Sequence, residues 1–138
     1  MSYSRLALAT LGATIVYFAS GFLFMGTLFR DEFRRYPALY RSAEGMKSVM
    51  PIGLVSTFVG IWVVAVLYAM IHPGGSGVGD GARFGALIGL FAVCGFVLHN
   101  YVNLNIGLKL TLQQAVGYFV EWLLVGIVIA LLYRPVSA

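Results

Sequence analysis

Four apolar stretches, residues 6–29, 49–71, 84–106 and 112–133, divide the chain, with polar, charged or glycine-rich segments between them. The first three contain no Asp, Glu, Lys or Arg. Each stretch is long enough to cross a hydrocarbon core of about 30 Å as a helix rising about 1.5 Å per residue. The pattern predicts an all-α membrane protein, a four-transmembrane-helix bundle, with residues 1–138 as a single integral membrane domain. Short connections are expected at 72–83 and around 107–111, and a longer loop 1 at 30–48.

Composition agrees with that pattern. The 138 residues are 60% hydrophobic and only 10% charged, whereas ordinary soluble domains carry about a quarter charged residues. Four spans use nearly all of the length, so no soluble catalytic domain fits. The net charge of +4 comes largely from loop 1, which argues for a bilayer and against nucleic acid as the partner. The single cysteine, Cys94, excludes an intramolecular disulfide and a CxxC redox pair.

The first stretch is not read as a cleaved signal peptide, although Ala19-Ser20-Gly21 could serve as a cleavage site. Its apolar run continues through Phe22-Leu23-Phe24-Met25, and the basic residues Arg30, Arg34 and Arg35 follow it, with only Arg5 ahead. Basic residues also set the orientation. Loop 1 holds Arg30, Arg34, Arg35, Arg41 and Lys47, and the third connection adds Lys109; the opposite side has Arg5, Arg83 and Arg134. Loop 1 is therefore expected in the cytoplasm and both termini outside, in a bacterial inner membrane. Within loop 1, Phe33, Tyr36 and Tyr40 share a helical face suited to the membrane interface, and Pro37 divides the loop into two short pieces.

Helical phase then assigns packing faces. Gly85, Gly89, Ala92, Phe96, His99 and Asn103 recur at spacings of four and three and fall within about 40° of one line on a helix. Gly81, Gly85 and Gly89 form a small-xxx-small series that lets a neighbouring helix approach closely. Gly126 in the fourth stretch and Gly53 and Gly60 in the second are expected to pack in the same way. In the fourth stretch, Gln114, Tyr118, Glu121, Val125, Val128 and Leu132 make a facing stripe, and Thr111-Leu-Gln-Gln114 fits a capping box.

Glu121 is the only charged residue between Lys109 and Arg134. A carboxyl at that depth costs several kcal/mol unless it is protonated, paired or wetted, which makes it a site by default. If the last two spans fold back as a hairpin near residue 110, His99 reaches the same depth as Glu121, with Ser20, Ser56 and Thr57 within about a turn. The expected site is a buried polar cluster of Glu121 and His99, bordered by Asn103, Tyr118, Ser20, Ser56 and Thr57. Such a cluster can fix helix register through hydrogen bonds, or serve as a coupled proton-titrating pair.

Other chemistry is not indicated. No HExxH, nucleophile elbow or paired carboxylates occur, so no catalytic residue is assigned. One His and one Glu are too few for a protein-bound metal, and His72 lies at the opposite end of the membrane from His99, against a bis-His haem. No cofactor is implied. Gly77-Val-Gly79-Asp-Gly-Ala82 formally fits G-x-G-x-x-A, but it follows a membrane helix where a nucleotide fingerprint needs a strand.

The segments Gly81-Ala82-Arg83-Phe84-Gly85, His99-Asn100-Tyr101-Val102-Asn103-Leu104 and Glu121-Trp122 resemble those of small bacterial four-helix membrane proteins of uncharacterised function. Those families carry Asp where this chain has Asn100 or Glu121. The resemblance implies the four-helix plan and lends no activity. The function expected from the residues is that of a structural or accessory membrane subunit, working as a homo-oligomer or with a membrane-protein partner. The alternative is an oligomeric proton-coupled transporter or small-solute permeation protein using Glu121 and His99.

Overall fold

The computed structural model describes residues 1–134; the last four residues of the expected domain, 135–138, lie outside the described residues. Every regular element among them is helical, and four helices are long and apolar enough to span a membrane. The first span is Tyr3–Leu28, the second Ala43–Ile71, the third Val78–Asn103 and the fourth Leu108–Leu132.

Two spans begin well ahead of their apolar stretches, because a helix does not stop where charge begins. The second starts at Ala43, where the Gly45 amide donates to the Ser42 hydroxyl oxygen at 3.2 Å and Glu44 sits favourably in the positive first turn. The third starts at Val78, with Asp80 and Arg83 paired across one turn at 3.7 Å. The fourth also starts early, at Leu108 after Gly107. The expected capping box is therefore absent: Thr111 lies inside the first turn and donates to the Gly107 carbonyl at 3.2 Å, leaving Gln114 free for another role.

The third and fourth spans make the closest contact. A Cβ at Gly85 would lie 2.5 Å from the Trp122 carbonyl oxygen, and one at Gly81 would lie 2.7 Å from that of Gly126. Only glycine permits backbones to approach this closely. The first span packs on the other side of the fourth. A dense core gathers at the end that carries the N-terminus, from Leu6, Ala9 and Ala13 through Ile61 and Ala65 to Val125 and Ile129. Tyr68 is fully buried there, edge-on to Phe84 at 5.3 Å and Tyr133 at 6.4 Å between ring centroids. The buried Thr10 and Thr14 hydroxyls donate to carbonyls one turn back, at 2.8 and 2.7 Å.

The second span joins this core only through its later half, by Ile61, Ala65, Tyr68 and Ala69. Towards loop 1 it diverges from the bundle. A Cβ added at Gly53 or Gly60 would meet nothing within 4 Å, so within one chain these glycines are not close-packing positions. Phe18 and Phe22 of the first span and Met50 of the second face the groove between the two helices, which leaves no flush small-residue surface opposite Gly53.

Loop 1 forms one short helix, Arg30–Phe33, followed by turns, so Pro37 begins a turn instead of a second helical piece. The loop folds against the third–fourth hairpin. The Gly107 amide donates to the Tyr36 hydroxyl at 2.8 Å, Lys109 pairs with the buried Glu32 at 3.1 Å, and Phe33 and Tyr40 pack edge-to-face at 5.1 Å.

Candidate functional site

Glu121 stands at the middle of the fourth span, about 20 Å along it from Leu108 at the rise of an α-helix, and is 1% exposed. The first span passes it at Gly21, where an added Cβ would lie 3.2 Å from the Glu121 Oε1. A glycine at this crossing leaves the space that the carboxyl occupies. Oε1 has no hydrogen-bond partner among the described residues. Ser20, also buried, does not supply one: its hydroxyl donates to the Val16 carbonyl at 2.8 Å. Helical spacing puts Tyr118 one turn before Glu121, and Tyr17 one turn before Gly21 on the facing helix.

Tyr17 and Tyr118 also line a half-open cavity of about 310 Å³ between the first, third and fourth spans. Trp122, Phe96, Asn100 and Gln114 complete its principal walls. Tyr17 and Trp122 meet at 5.5 Å between ring centroids. On the loop 1 side, Gln114 donates through Nε2 to the Tyr40 hydroxyl at 3.3 Å. The cavity thus combines aromatic faces, which attract cations, with two amides and two phenols that can donate and accept. Glu121 itself does not line the cavity; it stands between Tyr118 and Trp122, which do, on the same span.

Four of the residues assigned to the polar cluster lie elsewhere. His99 and Asn103 are exposed on the third span. Ser56 is exposed on the diverging second span, with its hydroxyl donating to the Gly53 carbonyl at 3.1 Å. Thr57 faces the groove between the first two spans. Only Glu121, Tyr118 and Ser20 share the neighbourhood of the carboxyl.

A wide turn explains where His99 goes. The third span changes to a π-helix over Val93–Val97, with the Leu98 amide bonded to the Val93 carbonyl five residues back. Such a turn inserts one residue beyond the regular 3.6 per turn and rotates everything after it by about 100°. The inward line therefore runs from Gly85 and Gly89 to Val97, which is buried, and to Asn100, which faces the cavity. Phe96 stays at the cavity wall, and His99 turns outward. The packing line read from the sequence does not include Asn100, and the capping-box pattern claims Gln114. The contact of Gln114 with Tyr40 joins residues 74 positions apart, and no local periodicity signals it.

Among the described residues no three metal-ligating side chains converge. His72 sits at the far end, its ring 4.9 Å from that of Tyr68. No curated protein matches the chain, and no solved structure does. A family model described as "Protein of unknown function (DUF1761)" matches residues 8–130, nearly the whole length, and the chain belongs to that family.

Proposed function

We propose that the protein binds a small hydrogen-bonding or cationic solute within the membrane and links its binding or passage to the protonation of Glu121. The observation that carries this reading is the buried Glu121 carboxyl with an unpartnered oxygen, one turn from a cavity of polar and aromatic side chains. An acid kept only to lock helices together would be expected to find a bond, because leaving it unbonded costs stability. His99 has no part in this version of the site. The basic residues of loop 1 favour a cytoplasmic side for it, and on that reading the cavity opens in the cytoplasmic half.

Replacing Glu121 by Gln tests the reading. In liposomes under an imposed pH gradient, the variant should assemble normally and lose pH-dependent solute flux. Flux that keeps its pH dependence in Glu121→Gln would refute it.

A second reading, a subunit that docks beside other membrane proteins or its own copies, is favoured by a different observation. The half of the second span from Ala43 to Gly60 packs little against its own chain, and Gly53 and Gly60 are open. Crosslinks from cysteines placed at Gly53 and Gly60, read in native membranes, would support this reading; a monomer with no crosslinked partner would count against it.

A further inference from the structure

We propose that the cleft between loop 1 and the end of the first span binds a phosphate group, held by the guanidinium groups of Arg30, Arg34 and Arg41. The cleft measures about 420 Å³, and these three arginines line it together with the apolar Met25, Phe33 and Pro37. The cations around the cleft differ in their partners. Arg35 and Lys109 both reach the buried Glu32, at 3.6 and 3.1 Å. Arg30, Arg34 and Arg41 have no carboxylate within 4.0 Å among the described residues, and all three are exposed. Of the three acids in loop 1, Glu32 is committed on the other side of the loop, and neither Asp31 nor Glu44 pairs with a cleft arginine among the described residues.

Three uncompensated guanidiniums around one hollow repel one another and are relieved by an anion. Planar, forked donors match phosphate oxygens two at a time, which favours phosphate over a simple halide. The hollow is larger than a phosphate ion, and its apolar wall joins Met25, from the last turns of a membrane helix, to Phe33 and Pro37 of loop 1, so a phosphate bearing a glycerol or acyl portion would also fill it. Tyr40 lines this cleft and is bonded to Gln114, which lines the cavity near Glu121, so one hydrogen bond joins the two hollows. Anionic lipid headgroups and free phosphate share this chemistry.

The test uses the whole protein in nanodiscs of phosphatidylcholine, alone or with a minor fraction of phosphatidylglycerol. Native mass spectrometry counts retained phosphatidylglycerol, and calorimetry in phosphatidylcholine alone measures binding of inorganic phosphate. The triple variant Arg30→Gln/Arg34→Gln/Arg41→Gln is compared with Arg5→Gln/Arg83→Gln/Arg134→Gln, which removes the same charge from the other end of the bundle. The loop 1 triple should weaken binding by about tenfold or more, and the control should leave it near wild type. Lipid retention that falls identifies a headgroup as the source; phosphate binding that falls without lipid retention identifies free phosphate. Equal losses in both triples, or no binding of either probe by the wild type, would overturn the proposal. The single exposed substitution Arg41→Gln should give a partial loss and serves if the triple variant does not fold.

Discussion

Gly85→Ala is the sharpest test of how the third and fourth spans meet. The added methyl carbon would fall 2.5 Å from the Trp122 carbonyl oxygen, 2.9 Å from that of Leu123 and 3.0 Å from the Leu123 Cα. All three obstacles are backbone atoms, and ordinary contact begins at 3.4 Å. No side chain can rotate out of the way, so the two helices must separate or slide. Overpacking of this kind costs about 1–3 kcal/mol, and backbone obstruction places it at the upper end. Alanine recovers up to about 1 kcal/mol of helix propensity over glycine, leaving a net loss of about 1–2 kcal/mol. Gly60→Ala is the matched control: it gains the same propensity and meets nothing within 4 Å, so it should be neutral or slightly stabilising. The two variants should therefore differ by about 2–3 kcal/mol on these two contributions. Reversible unfolding of the full chain in mixed micelles, followed by helical circular dichroism, measures that gap. Equal stabilities for Gly85→Ala and Gly60→Ala would refute the close approach of the third and fourth spans at Gly85.

Further outcomes follow from the site and the loop. Glu121→Leu removes an unpartnered buried oxygen and should hold or raise stability by about 1–3 kcal/mol in the same unfolding assay; a marked loss would show that the carboxyl anchors the helices. Tyr36→Phe deletes the acceptor for the Gly107 amide at 2.8 Å and should cost about 0.5–1.5 kcal/mol, with faster proteolysis of loop 1; unchanged cleavage rates would contradict the clasp. Burial pushes the Tyr40 phenol above its ordinary value, against a smaller opposite pull from the Gln114 hydrogen bond. A raised folded-state value means that this contribution is full below the ordinary phenol range and is lost as pH rises through the folded value. Loop 1 should therefore loosen at strongly alkaline pH in the wild type and not in Tyr40→Phe, as read by protease sensitivity. With the exposed Cys94 replaced, cysteines at Ser42 and Ser76 should label from opposite sides of the membrane; labelling from one side would sink the four-span topology.

Much of the architecture was legible because it rests on local pattern. Four uncharged or nearly uncharged runs give four spans, whatever the helices pack against. The series Gly81, Gly85, Gly89 lies before the wide turn, so regular helical phase places it correctly against the fourth span. His99 lies after that turn, and the same arithmetic carried it to the wrong side. Gly53 and Gly60 show a different limit. Spacing can show that a helix has a small-residue face but cannot supply the helix that covers it. The clasp of Tyr36, Tyr40, Glu32 and Lys109 on the hairpin was missed because each contact joins the loop to a distant span. Thr111-Leu-Gln-Gln114 misled for a simpler reason: the helix had already begun at Leu108, so the motif fell inside it.

The π-helical turn at Val93–Val97 makes the lining of the cavity depend on a count of one residue. Deleting Gly95, at which an added Cβ meets nothing within 4 Å, would remove the surplus residue and let the wide turn close to an ordinary one, with Asn100 still at the cavity. Tightening the turn with every residue retained would instead swing the following turns by about 100° and bring His99 to the bearing now held by Asn100. A neutral amide and a titratable base are thus exchangeable at the cavity wall with no change of side-chain identity. Within this fold, a change in the width of one helical turn can act as a chemical substitution at a distance.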